Sequence, residues 1–158
     1  MQIADSSEFW CMAPLKRHPS LVPFSHDHRH ILFLAQLLKK GSPRFQGYPT
    51  DVEGKYTYAL QFFQQQLKGH ILKEEQVLFP NILGLEARID ELIEELKTHH
   101  TEIFSKFEKW QTETPDVNEL NEMGIFLEKH VRTEERQLFT WLQQVASEDL
   151  LRELGELV

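Results

Sequence analysis

The chain has 158 residues, enough for one domain burying roughly 70% of the surface its unfolded chain exposes. Hydrophobic residues make up 41%, charged residues 27%, and the formal charge is -8, which excludes a disordered polar chain and argues against binding to phosphate backbones. Cys11 is the single cysteine, so an internal disulfide framework and a thiolate zinc site are excluded. No apolar run approaches a membrane span, and the opening residues mix Asp5, Glu8, Lys16 and Arg17 without a signal-type stretch; the expectation is a cytoplasmic protein with no membrane or nucleic-acid partner.

In chain order, residues 1–22 lack helical period and hold Pro14 and Pro19, which predicts an arm anchored by Phe9 and Trp10 over a bundle spanning 23–158. A first helix is expected from a Ser25 cap through Ile31, Leu32, Ala35 and Leu38 to Gly41-Ser42-Pro43. A second, capped by Thr50 or Asp51, carries Leu60, Phe63, Leu67, Ile71 and Leu78 and closes near Pro80. After Gly84, the series Ile89, Leu92, Ile93, Leu96, Ile103, Phe104 and Phe107 marks a third. Asp116 caps a fourth with Leu120, Met123, Phe126, Leu127, Leu138, Trp141 and Leu142, and a short helix follows Ser147. Four long amphipathic helices without strand-type alternation predict an all-α fold: an up-down-up-down antiparallel four-helix bundle with an N-terminal arm and a short C-terminal helix.

The second and fourth helices carry the same text, His70-xxx-Glu74-Glu75-xx-Leu78-Phe79 and His130-xxx-Glu134-Glu135-xx-Leu138-Phe139. Histidine and glutamate four apart share one helical face. That face is apolar in both copies, running from Leu60, Phe63 and Leu67 to Leu78, and from Met123 and Phe126 to Leu138. The first and third helices offer His28 and His100, each followed at three and four by apolar residues. His99 has Glu95 one turn before it, whereas His100 has Leu96, so His100 is the inward one of the pair. His26 and His30 lie about 200° around the helix from His28. Ionised carboxylates buried on apolar faces need a cationic partner. Four imidazoles and two carboxylates can supply a pair of metal ions, and mixed nitrogen and oxygen ligands suit iron or manganese, with zinc also served.

With these motifs, together with Ser25-His26-Asp27-His28-Arg29-His30 and His99-His100, the chain from Pro23 to about Gln144 resembles the hemerythrin and HHE cation-binding family. The resemblance implies a four-helix bundle holding an oxo- or hydroxo-bridged non-haem di-iron centre. Glu74 and Glu134 would bridge, His28 and His70 would serve one iron, and His100 and His130 the other. Oxygen-carrying members place two histidines one turn apart on the third helix, but Ile103 and Phe104 stand one turn beyond His99 and His100. Glu75, Glu135, His99, His26 and His30 remain candidates to complete the shell.

Three functions are open at this point. An apolar lining of Leu32, Phe63, Phe104 and Leu138 suits a binder of O2 or nitric oxide, for sensing, storage or scavenging. Repair members of the resembled family imply an iron donor to damaged iron–sulphur clusters. A structural or interaction bundle held by zinc is the third reading. The acidic positions Glu91, Glu94 and Glu95 read as a solvated helix face.

Overall fold

The computed structural model describes residues 16–158; residues 1–15, and with them the expected anchors Phe9 and Trp10, lie outside the described residues. Among the described residues every regular element is helical, and no helix is long and apolar enough to cross a membrane. A single helical turn at Pro19–Leu21 leads into α1, Val22–Leu38. The second helix, α2, runs over 52–82, α3 covers Ala87–Lys109, α4 runs over 117–145, and α5 covers Glu148–Leu157.

The ends follow local chemistry, with two departures from the sequence reading. First, α1 begins at Val22 rather than at a Ser25 cap, because Pro23 sits in its first turn, where its fixed φ suits the helix and its missing N–H is not needed. Second, α2 passes through Pro80 and ends at Ile82. The preceding turn, Glu74–Leu78, is π-helical, with the Phe79 N–H donating to the Glu74 carbonyl. Pro80 therefore falls where the hydrogen-bond ladder is already changing register, and its missing donor disturbs the helix less. A matching π turn occupies Glu134–Leu138 in α4, and a third occupies Phe63–Leu67 in α2. The start of α4 is a capping box: Asp116 accepts from the Asn118 and Glu119 amides at 2.8 and 2.9 Å, and Glu119 accepts from the Asp116 amide at 3.0 Å. Ser147 caps α5 by accepting from the Leu150 amide.

The buried apolar residues form two clusters. One gathers Ile31, Leu34, Phe63, Ile71, Ile103, Phe107, Leu127 and Val131; the other gathers Leu21, Phe24, Leu78, Phe79, Leu96, Leu138, Phe139 and Leu151. Each long helix crosses from one cluster to the other. Along the chain, α1 and α3 run out of the second cluster into the first, and α2 and α4 run back. The residues at the crossing are polar: His28, His70, Glu74, His100, His130 and Glu134, all buried. The segment 16–21 lies at the end of the second cluster, where the Gln143 amide donates to the Lys16 carbonyl at 2.9 Å and Leu21 joins that cluster.

Helices α1 and α4 approach closely at Gly124, where a Cβ would lie 2.5 Å from the Ala35 carbonyl oxygen. Backbone cannot yield as a flexible side chain does, so the crowding cost of about 1–3 kcal/mol outweighs the roughly 1 kcal/mol gained by alanine in a helix. Gly124→Ala is expected to lower Tm, by about 2–4 °C per kcal/mol for a chain of this size. Gly69→Ala, with nothing within 4 Å of the added carbon, is expected to raise it in the same calorimetric experiment.

Candidate metal centre

The polar layer draws on all four long helices. His28 stands on α1 between Phe24 and Ile31, and His100 on α3 between Leu96 and Ile103. The two His-xxx-Glu pairs occupy α2 and α4. None of the six is more than 4% exposed. Among the described residues no lysine or arginine is buried, so the protein supplies no fixed cation to the two carboxylates.

The six side chains form two overlapping sets: His28, His70, Glu74 and Glu134, and Glu74, His100, His130 and Glu134. Within each set, one potential ligand atom per residue lies within 4.8 Å of the others. Both carboxylates belong to both sets. Glu74 presents Oε1 to His70 Nε2 at 2.8 Å and to His28 Nε2 at 3.6 Å, and Oε2 to His100 Nε2 at 3.1 Å. Glu134 presents Oε2 to His28 Nε2 at 2.7 Å and Oε1 to His130 Nε2 at 3.7 Å. Short as several of these distances are, none is an aligned hydrogen bond. The four Nε2 atoms and all four carboxylate oxygens are buried without a hydrogen-bond partner. Orphaned donors and acceptors are rare in protein interiors, whereas nitrogen and oxygen atoms gathered around a common point are what a pair of metal ions requires. The residues fit that group.

Each ring is held from its outer edge. His28 Nδ1 lies 2.6 Å from Glu135 Oε1, His100 Nδ1 2.7 Å from Glu75 Oε1, His70 Nδ1 3.1 Å from Asp27 Oδ2, and His130 Nδ1 3.4 Å from His99 Nδ1. Such outer contacts fix the tautomer that leaves Nε2 free for a metal. Phe139 stacks on His28 and Phe79 on His100, with ring centroids 5.6 and 5.8 Å apart. The doubled glutamates thus divide their tasks. The first of each pair enters the layer and opens a π turn, while the second turns sideways to a neighbouring helix, Glu75 to α3 and Glu135 to α1.

Electrostatics in the layer reflect two acidic groups buried side by side. Burial, with the nearby charge of Glu74, pushes the Glu134 carboxyl up to about 7. Burial works against charge on Glu74 too, but His70, His100 and His28 outweigh it and hold its carboxyl well below the usual range. Burial likewise opposes a charged His70, yet Glu74 and Asp27 raise it to about 9; Glu134, Glu135 and Glu74 overcome burial at His28 and raise that ring as well. His130 is held well below its ordinary value by burial. Protons and cations therefore compete for the same atoms.

The structure brings together all six residues singled out from the sequence. Of the further candidates, Glu75, Glu135 and His99 reach the outer edges of the rings, and His26 and His30 lie exposed beside each other on α1, centroids 5.1 Å apart. Two residues escaped the sequence reading. Asp27 could have been found by aligning Asp27-His28 with His99-His100. Arg17 offers no such signal, lying outside any periodic segment. Its Nη2 donates to Glu135 Oε2 at 2.8 Å and to the Glu135 carbonyl at 3.0 Å, and its guanidinium carbon sits 5.3 Å from the centre of the Phe139 ring.

No curated protein and no solved structure matches the chain. A family model does: the hemerythrin HHE cation-binding domain, over residues 23–142, a span that contains all six buried side chains. With that match over most of its length, the chain belongs to the hemerythrin HHE cation-binding domain family.

Proposed function

We propose that the chain is an up-down-up-down four-helix bundle whose polar layer holds two iron ions, and that it binds O2 or nitric oxide for sensing, storage or scavenging. In this reading Glu74 and Glu134 are shared by both ions, His28 and His70 serve one, and His100 and His130 serve the other. The alternating passage of the helices between the two apolar clusters supports the topology. The observation that carries the site is the set of eight unpartnered buried nitrogen and oxygen atoms.

When bound, a di-iron pair supplies redox-active metal with coordination positions for a small diatomic ligand. The chain's own residues prepare the place. Glu135 and Glu75 hold the hydrogens of His28 and His100 on Nδ1, so that Nε2 faces inward with its lone pair. Phe139 and Phe79 cover these two rings, while Leu138 and Phe63 are buried and Leu32 and Phe104 are partly so. This lining keeps bulk water from the layer and favours a small apolar ligand over a hydrolytic substrate.

One observation favours a second reading, the iron donor for repair of iron–sulphur clusters. A half-open cavity of about 360 Å³ is lined by Asp27, Gln65, Gln66, His70 and Lys73 together with Ile31 and Phe62. In this second reading an ion leaves through that opening, past Asp27 and Lys73. Iron transfer to an apo iron–sulphur enzyme, faster than loss to a chelator, separates this reading from a closed carrier. Zinc alone in the purified protein would return the structural reading.

Elemental analysis of aerobically purified protein is expected to give iron close to two ions per chain with near-ultraviolet and visible absorption. Glu74→Ala or Glu134→Ala removes a ligand from both sets and is expected to lower metal affinity by more than the about 10–100-fold lost with an outer contact. Glu91→Ala, at an exposed position, leaves the metal content unchanged. Anaerobic titration of the reduced protein with O2 and with nitric oxide is expected to give reversible spectral changes; silence towards both overturns ligand binding while leaving the metal site standing.

A further inference from the structure

The outer contacts of the four rings are not alike in the two halves of the chain. Asp27 and His99 are equivalent positions in the internal repeat, since each immediately precedes the histidine that its helix sends into the layer. Each also reaches the histidine of the next helix: Asp27 Oδ2 lies 3.1 Å from His70 Nδ1, and His99 Nδ1 lies 3.4 Å from His130 Nδ1. A carboxylate stands in one half where an imidazole stands in the other. The remaining two rings are matched, with Glu135 on His28 at 2.6 Å and Glu75 on His100 at 2.7 Å. Arg17 takes the second oxygen of Glu135, yet the short contact of Oε1 with His28 is kept.

A ring that offers Nε2 to a metal carries its hydrogen on Nδ1. The Nδ1–H of His70 donates to an anionic carboxylate, which draws the hydrogen outwards and makes Nε2 a stronger donor. The Nδ1–H of His130 meets a nitrogen. For His99 to accept, its own hydrogen must stand on Nε2, which faces Glu95 Oε1 at 3.8 Å, one turn back along α3. The acceptor touching His130 is therefore a neutral ring, and the nearest carboxylate behind it is one residue further out and half-exposed. His130 is polarised less than His70.

We propose that Asp27 and His99 are positioning residues that make the two metal positions unequal, so that the position served by His28 and His70 binds its ion more tightly and fills first. The proposal rests on the two-ion reading above. An outer contact is worth about 10–100-fold in metal affinity, and the difference between an anionic and a neutral acceptor is a share of that.

The test is an anaerobic Co2+ titration of the full chain after its metal has been stripped, followed by visible absorption and by heat. Two ions sharing carboxylates repel, so two steps arise even from equal halves; the response of their spacing to substitution is what discriminates. Asp27→Asn keeps an acceptor but removes the charge. With unequal positions it weakens the first step by about tenfold and narrows the spacing, whereas with equal halves it weakens the second step and widens it. His99→Asp places a carboxylate in the other half and is expected to tighten the second step, again narrowing the spacing. A gain of affinity cannot come from general damage to the fold. Widening in either variant, or unchanged spacing in both, overturns the proposal. Fewer than two bound Co2+ ions in the unsubstituted chain, or binding indifferent to Glu74→Ala, overturns the two-ion reading instead.

Discussion

Two acidic and four imidazole side chains in a buried layer set the terms for the whole molecule. Each unpartnered buried polar atom costs about 1–3 kcal/mol, so the eight such atoms here would together cost roughly 8–24 kcal/mol by the same measure. A domain of this kind is stable by only about 5–15 kcal/mol. The two figures are comparable, so a folded chain must satisfy these atoms with protons or with metal. Burial on both sides by apolar clusters makes the demand strict, because among the described residues no lysine or arginine is buried beside these atoms.

The π turns are the backbone's share of the solution. Neighbouring residues on a helix point about 100° apart, which is why adjacent glutamates can serve different ends. Widening the turn that starts at Glu74 and at Glu134 frees a carbonyl downstream. In α4, the Glu135 carbonyl accepts from both Arg17 and the Thr140 hydroxyl, the latter at 3.1 Å. In α2, the position equivalent to Thr140 is Pro80, which has no N–H to lose. Two different residues thus accommodate the same irregularity, placed where π turns often occur, beside a functional site.

Much of this was legible in the sequence, for reasons that can be named. The helices announced themselves through apolar period and through Asp116, whose cap is seen as expected, while Ser147, read only as preceding the last helix, also caps it. The inward histidine and glutamate pairs were visible because the same text occurs twice on apolar faces. Preference for His100 over His99 followed from Leu96, and the structure buries both rings while bringing only His100 into the paired sets. What stayed hidden was non-local or irregular. Glutamates at 75 and 135 reach across to other helices, Asp27 meets a residue of the next helix, and Arg17 arrives from an aperiodic segment. The π turns and the passage through Pro80 were not read, although the buried series His70, Glu74, Leu78, Ile82 and His130, Glu134, Leu138, Leu142 steps by four throughout, wider than the 3.6 residues of an α-helical turn.

The division of donors between the two halves bears on how the chain matures. The first two long helices own His28, His70 and Glu74, and the next two own His100, His130 and Glu134, yet each set of four draws one carboxylate from the opposite half. Neither half on its own therefore contains a full set of four. In the two-ion reading proposed above, a complete set of four donors exists only where the two halves of the chain have docked, and the first half alone carries three of the six donors.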